Sequence, residues 1–295
     1  MTGTQRIEHA ALRVVDLDAA TSFCTNVLGL VELDRDDETV YLGCGLNERY
    51  DLAVTEGGSG VDHFAIRVDD SDELDAYERR LADQGVETER THAADDRFDR
   101  GIHFSLPSGV DMELLAVADS TYRHVTRSRS GRAGVAPMDL DHITLMSDQL
   151  ERDVDFLEST LDFRLTEVHE LDDERWRFAW TRFGTQHHDV AFVRSEDPEY
   201  TLHHLAFTMS SLDHMKQLID HMAGAEFPIE VGVNRHEVGS NVFCYFGEPG
   251  GNRFELSAEM ATVDDATPTR VNDPQVDTLT AWGGITAPET FADGS

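Results

Sequence analysis

A histidine, a phenol and a carboxylate punctuate the stretch NRHEVGSNVFCYFGEPGGNRFE, residues 234–255. A strand–turn–strand corner requires its glycines, proline and apolar residues; it does not require His236, Tyr245 and Glu255. Upstream, LDHITLM carries His142, and LHHLAFT carries His203 and His204. Alternate residues of a strand point to opposite faces. His142 and Thr144 therefore share a face, with Ile143 and Leu145 on the other. His204, Ala206 and Thr208 oppose Leu205 and Phe207, and Arg253, Glu255 and Ser257 oppose Phe254 and Leu256. Each strand thus has an apolar side for packing under helices and a polar side bearing one potential metal ligand. A curved sheet with helices outside would bring the three ligands to a common point.

The elements that must position these residues occur twice. IEHAALRVVDLDAATSFCTNVLGLVEL, from Ile7, aligns with LDHITLMSDQLERDVDFLESTLDFRLTE, from Leu140. His9 meets His142, Phe23 meets Phe156 and Leu28 meets Leu161, all at an offset of 133 residues. YDLAV (50–54) aligns with HDVAF (188–192), VDHFAI with LHHLAF, and IHFSLPSGVDMEL with CYFGEPGGNRFEL, which pairs His63 with His204 and Glu113 with Glu255. A period this long is that of a duplicated domain rather than a solenoid. Each copy reads as strand, helix, then several strands. Amphipathic helices are expected near 17–28, 73–84, 150–161 and 212–223, with Gly85 and Gly224 just past two of the helix ends. The fold class is α+β: two tandem modules of repeated βαβββ units, each a curved mixed sheet with helices outside. The expected domains are an N-terminal module at 1–118, a polar Ser/Arg/Gly linker at 119–137, a catalytic module at 138–262 and a tail at 263–295. The tail reads as a surface strap with one aromatic anchor at Trp282.

Bulk properties narrow the partners. The chain has 58 acidic and 24 basic residues, a formal net charge of -34, and Lys216 is its only lysine. Such charge repels nucleic acid and anionic membranes. It is spread along the chain and is largely screened at molar salt, where the Debye length is about 3 Å; a salt-loving source is expected. No apolar run approaches the roughly 18 residues of a membrane span, and the opening MTGTQRIEHAAL lacks signal-peptide regions, so a cytoplasmic location is expected. Cys24, Cys44 and Cys244, widely spaced and without CxxC, read as reduced packing residues. His214 and His221 share a helix face without a third ligand and read as surface residues. LDDER at 171–175 reads as a solvated turn. One face of Trp176, Phe178 and Trp180 borders either the pocket or the core.

A 2-His-1-carboxylate set leaves about three positions open on its metal, as in non-haem Fe(II) oxygenases. Open positions matter when one ion must hold an organic substrate and O2 together. Here the sequence resembles the type I extradiol ring-cleavage dioxygenases of the vicinal oxygen chelate superfamily, the catechol 2,3-dioxygenase and dihydroxybiphenyl dioxygenase group. The likeness runs from Ile7 to about Met260. It is most specific in His236, Cys244, Tyr245, Glu248, Pro249, Gly251 and Glu255, with HDVAF and LHHLAF also close. Cys244 departs from the usual aliphatic or aromatic residue before the tyrosine.

The resemblance implies that His142, His204 and Glu255 hold Fe(II), with Mn(II) an alternative. It places His188 as the acid–base histidine, and His236 and Tyr245 against the substrate oxygens. His204 rather than His203 is the ligand, a choice the repeat supports because His63 aligns with it; His203 is expected on the opposite face. The implied reaction is O2-dependent cleavage of a catechol-type diol beside its hydroxyls, by a homo-oligomer. The N-terminal module repeats the ligand types at His9, His63 and Glu113. There Tyr50 replaces the acid–base histidine and His103 replaces the tyrosine, so the module is expected to support its partner without catalysing. A glyoxalase-like isomerase, a hydroxyphenylpyruvate dioxygenase-like enzyme and a bleomycin-resistance-type binding protein are the alternatives for this fold.

Overall fold

The structure is a computed structural model and describes residues 7–47, 49–91, 100–117, 131–171, 175–274, 277 and 279–295. Four βαβββ units follow one another. The first comprises β1 (Ile7–Val14), α1 (Leu17–Asn26), β2 (Val31–Arg35), β3 (Thr39–Gly43) and β4 (Leu52–Glu56). The second comprises β5 (Gly60–Val68), α2 (Ser71–Asp83), β6 (Glu89–Thr91), β7 (Arg100–Ser105) and β8 (Asp111–Ala116). The third comprises β9 (Asp139–Ser147), α3 (Leu150–Leu161), β10 (Arg164–Glu170), β11 (Trp176–Arg182) and β12 (Val190–Arg194). The fourth comprises β13 (Leu202–Thr208), α4 (Leu212–Gly224), β14 (Val231–Arg235), β15 (Val242–Gly247) and β16 (Arg253–Ala258).

Units pair through their first strands. The first sheet runs β2-β3-β4-β1-β5-β8-β7-β6; the second runs β14-β15-β16-β13-β9-β12-β11-β10 and gains β17 (Arg270–Asn272) at its edge. In both, the two central strands are antiparallel, and each is flanked by a parallel partner from its own unit. The helices bury one stripe each. Leu150, Val154, Leu157 and Leu161 of α3 recur at helical spacing and are fully buried, each contributing about 1.5–3 kcal/mol. One apolar cluster runs through both modules. Asn252 ties them in polar fashion, accepting from the Gly60 amide at 2.7 Å and donating to the Arg13 carbonyl at 2.9 Å.

Helix ends follow local chemistry. Asp16, Asp70 and Ser211 accept from backbone amides of the first turns of α1, α2 and α4, satisfying groups that no intrahelical carbonyl can reach. The cap at Asp70 starts α2 two residues before the expected start. Gly85 takes the left-handed conformation after α2 (φ 76°), as expected. Gly224 does not: it is the last residue of α4, and the left-handed position falls to Glu226 (φ 63°). The units align at an offset of 141 residues here, which sets Glu226 opposite Gly85.

Several other expectations are revised. Trp282 is 53% exposed and stacks beside the Arg235 guanidinium, 5.3 Å away, instead of anchoring the tail. Leu279, Ile285, Ala287 and Phe291 anchor it against Val231, Phe243 and Tyr245. Of the expected linker, 119–130 lies outside the described residues. Its end is docked, with Arg132 donating to the carbonyls of Cys44 and Ala136 at 2.8 Å each. Residues 172–174 of the expected turn are also outside. His214 is half-buried and reaches the Val135 carbonyl at 3.2 Å, while exposed His221 reaches that of Asn26 at 3.1 Å. All three cysteines are buried and free. Among the described residues, no helix is long and apolar enough to cross a membrane.

Candidate metal centre

Strand register brings the chemistry-bearing residues to one face. Thr144 of β9 pairs with His204 of β13, Ala206 of β13 with Glu255 of β16, and Glu255 with Tyr245 of β15. Paired residues project to the same side of a sheet, so His142, two residues before Thr144, joins them. Trp180 pairs with Ala191 and Ala191 with Thr144, which places the half-buried Trp180 ring on this face too.

His142, His204 and Glu255 converge. The two Nε2 atoms are 3.2 Å apart, and Glu255 Oε2 lies 3.3 Å from His142 Nε2 and 3.0 Å from His204 Nε2. Adjacent ligands at bond lengths of about 2.1 Å from one ion sit about 3 Å apart. All three side chains are buried, and Oε2 has no hydrogen-bond partner although Oε1 accepts from Asn241 Nδ2 at 3.0 Å. A buried carboxylate oxygen aimed at two imidazole nitrogens fits a divalent cation, and the donor set of two nitrogens and one oxygen suits a first-row transition ion.

Acceptors behind the imidazoles fix their tautomers. Asp141 Oδ1 lies 2.8 Å from His142 Nδ1, so that nitrogen holds its proton and Nε2 is the one that would give its lone pair to a bound ion. For His204 the chain is longer. The Phe291 carbonyl accepts from His203 Nε2 at 3.0 Å, which leaves His203 Nδ1 to accept from His204 Nδ1 at 2.6 Å. His204 Nε2 is again the lone pair. His188 repeats the device: Glu167 accepts from His187 Nε2 at 3.1 Å, and His187 Nδ1 accepts from His188 Nδ1 at 3.0 Å. His236 donates from Nδ1 to the Leu279 carbonyl at 2.9 Å, so its Nε2 accepts from the Tyr245 hydroxyl at 3.0 Å. Such partners orient metal-bound imidazoles and set their basicity.

His203 therefore does not occupy the opposite face. The β13–β9 register shifts between Leu202 and His204, and this irregularity lays the His203 ring beside that of His204. The expectation failed because strict alternation does not survive a bulge. Sequence reading also missed Asp141, His187, Glu167 and Asn241. The signal was present for two of them: Asp141–His142, His187–His188 and His203–His204 are each a polar residue followed by a site histidine.

Electrostatics divides the cluster. Burial pulls His142 down, but the Glu255 and Asp141 carboxylates outweigh it and raise its pKa to about 10. Burial lowers His204 to about 4. Glu255 is pushed up by burial yet held well below the usual carboxylate range, with His142 the strongest of the lowering influences. Burial, assisted by His142 and His187, drives His188 well below its ordinary value, keeping it neutral. Burial and the Glu255 charge raise the Tyr245 hydroxyl well above its usual value, keeping it protonated. The face thus offers a lone-pair base at His188 and a hydroxyl donor at Tyr245, with the His188 and His142 ring centroids 4.4 Å apart.

Comparison with known proteins agrees with this geometry. Residues 139–256 match the family described as Glyoxalase/Bleomycin resistance protein/Dioxygenase superfamily, and residues 61–119 match the catechol 2,3-dioxygenase-like N-terminal domain. Both modules thus carry likeness to the dioxygenase branch of that superfamily, and the relatives that the chain resembles along most of its length are named as extradiol-type dioxygenases. It is 28% identical to a metapyrocatechase of Pseudomonas sp. (strain CF600), over 86% of each chain. It is 24% identical to a manganese-dependent 2,3-dihydroxybiphenyl 1,2-dioxygenase of Geobacillus genomosp. 3, over 84% of this chain and 83% of that one. Among solved structures, the 2,3-dioxygenase LapB of Pseudomonas sp. KL28 is 27% identical, with a TM-score of 0.82 over 91% of this chain and 97% of that one.

Proposed function

We propose that this enzyme opens the ring of a catechol-type diol beside its two hydroxyls, consuming O2, with Fe(II) held by His142, His204 and Glu255 and Mn(II) able to take the same ligands. The observation that carries this reading is the one-sided ligand set: three donor atoms within 4.8 Å of one another, with His188, His236 and Tyr245 on the adjoining face. When bound, the metal lowers the pKa of the diol hydroxyls and gathers both reactants at one centre.

The chain's own groups do the rest. Neutral His188, its Nδ1 proton held by His187, presents Nε2 to take a proton from the diol and return it when the ring opens. Tyr245, protonated, turns its single hydroxyl hydrogen from His236 Nε2 to a substrate oxygen when the diol binds. His236 holds the Tyr245 hydroxyl and is itself braced by the tail. The Phe243 ring stacks on His236 at 3.8 Å and fixes its plane. Trp180, with Phe178 beside it at 5.7 Å between ring centroids, adds aromatic surface to the same face. The net charge of -34 fits an intracellular medium of high salt, in which surface repulsion is screened.

The test is anaerobic loading with Fe(II) or Mn(II) in concentrated KCl, followed by a panel of catechols with O2 uptake and yellow ring-opened product recorded together. Stoichiometric uptake supports the reading. Binding of catechols without O2 uptake would move the chain to the isomerase or sequestering alternatives. His188→Phe is expected to keep its metal and lose roughly 10²-fold or more in turnover; unchanged turnover removes His188 from the acid–base role.

A further inference from the structure

We propose that the N-terminal module holds a second divalent transition-metal ion, ligated by His9, His63 and Glu113. The inference rests on the geometry of that module and does not depend on ring cleavage. His9 on β1 pairs with Ala65 on β5, Ala65 pairs with Glu113 on β8, and Glu113 pairs with His103 on β7. The same neighbour relations bring Glu255 and Tyr245 together in the other module.

The result is a second convergent triad. His9 Nε2 and His63 Nε2 are 3.1 Å apart, against 3.2 Å for His142 and His204. Both spacings suit adjacent ligands of one ion, about 3 Å apart. Glu113 Oε2 lies 3.8 Å from His9 Nε2, and the three donor atoms fall within 4.8 Å of one another. Asp62 Oδ2, 3.1 Å from His63 Nδ1, takes the proton on that side and turns the Nε2 lone pair inward. Thr91 binds Glu113 Oε1, the place Asn241 takes on Glu255, and leaves Oε2 toward the imidazoles. Gly101 preserves the carboxylate's room, because a Cβ there would fall 2.5 Å from Glu113 Oε1.

His9 and Glu113 are buried, and among the described residues no Arg or Lys meets the Glu113 carboxylate. A buried carboxylate without a cationic partner is costly; a metal ion supplies the missing charge. His63, its side chain 24% exposed, gives the ion a path in. The surrounding groups differ from those of the other centre. The Tyr50 hydroxyl, 3.3 Å from His9 Nε2, stands where His188 stands, and His103 replaces Tyr245. The module therefore takes a cation of the iron, manganese or cobalt kind but holds its phenol and imidazole in exchanged places, Tyr50 for His188 and His103 for Tyr245.

The full chain, stripped with a chelator in concentrated KCl and titrated anaerobically with Mn(II), tests this through metal bound per chain after desalting. Two ions are expected for the wild type, one for His63→Asn, one for Glu113→Gln and one for His204→Asn, with none for His63→Asn combined with His204→Asn. Melting curves identify any variant that fails to fold, and the two single changes in the N-terminal triad stand in for each other. One ion per wild-type chain, retained in both N-terminal variants and lost in His204→Asn, overturns the inference. One ion retained in His204→Asn and lost in His63→Asn upholds it while removing the C-terminal centre instead.

Discussion

At the scale of single residues, the site depends on which nitrogen of each imidazole carries its proton. A ligand histidine is competent only if the nitrogen facing the metal is a lone pair, and an acceptor behind the ring secures that. Asp141 does this directly for His142, whereas His204 relies on His203 and the Phe291 carbonyl. Replacing His203 by Phe removes the acceptor and is expected to weaken Mn(II) binding by roughly 10- to 100-fold. His203→Gln is expected to recover most of that loss, since its amide can accept from His204 and donate to the carbonyl. Equal affinity in His203→Phe and wild type, measured by calorimetry, would show that the ring only fills space. The convergent triad was legible as a candidate because His142, His204 and Glu255 sit on polar strand faces, in a sequence resembling a known family. The backbone supports were not, because the carbonyls of Leu279 and Phe291 reach the site only through tertiary packing of the tail.

At the scale of elements, the βαβββ unit does the positioning. Its first and last strands run parallel, and two units meet through antiparallel first strands, so ligands from β9, β13 and β16 lie side by side. Unit order, helix positions and apolar faces were readable from periodicity and repetition. Helix ends were less so: a glycine near a helix end suggests the left-handed residue, but Gly224 is helical and Glu226 takes that conformation. Gly224→Ala should therefore stabilise the protein by about 0.5–1 kcal/mol, the gain of alanine over glycine inside a helix. A Cβ there meets no atom within 4 Å. Gly85→Ala, at φ 76°, should destabilise by about 1 kcal/mol. Denaturant unfolding that gave both changes the same sign would contradict this placement of the helix ends.

At the scale of the whole molecule, acidic charge and the tail dominate. With 58 acidic residues against 24 basic ones, most carboxylates have no cationic side chain to pair with, and even the lone lysine is engaged with Asp220. Repulsion among them weakens the folded state until salt screens it. The melting temperature is expected to rise steadily from low to multi-molar KCl; a flat curve would assign the acidity no part in salt adaptation. The tail adds β17 to the second sheet and supplies the carbonyls behind His203 and His236, so the last residues in the chain brace the catalytic face. Composition announced the charge, but it could not announce that a polar segment would pack against Tyr245.

The central claim is that His142, His204 and Glu255 grip one ion together. Anomalous X-ray scattering at the iron edge, from crystals loaded anaerobically with Fe(II), tests it most directly. The account predicts a peak about 2 Å from His142 Nε2, His204 Nε2 and Glu255 Oε2, with the coordination positions toward His188 and Tyr245 open to solvent. A peak elsewhere with this triad empty, or a fourth protein side chain closing those positions, would contradict it.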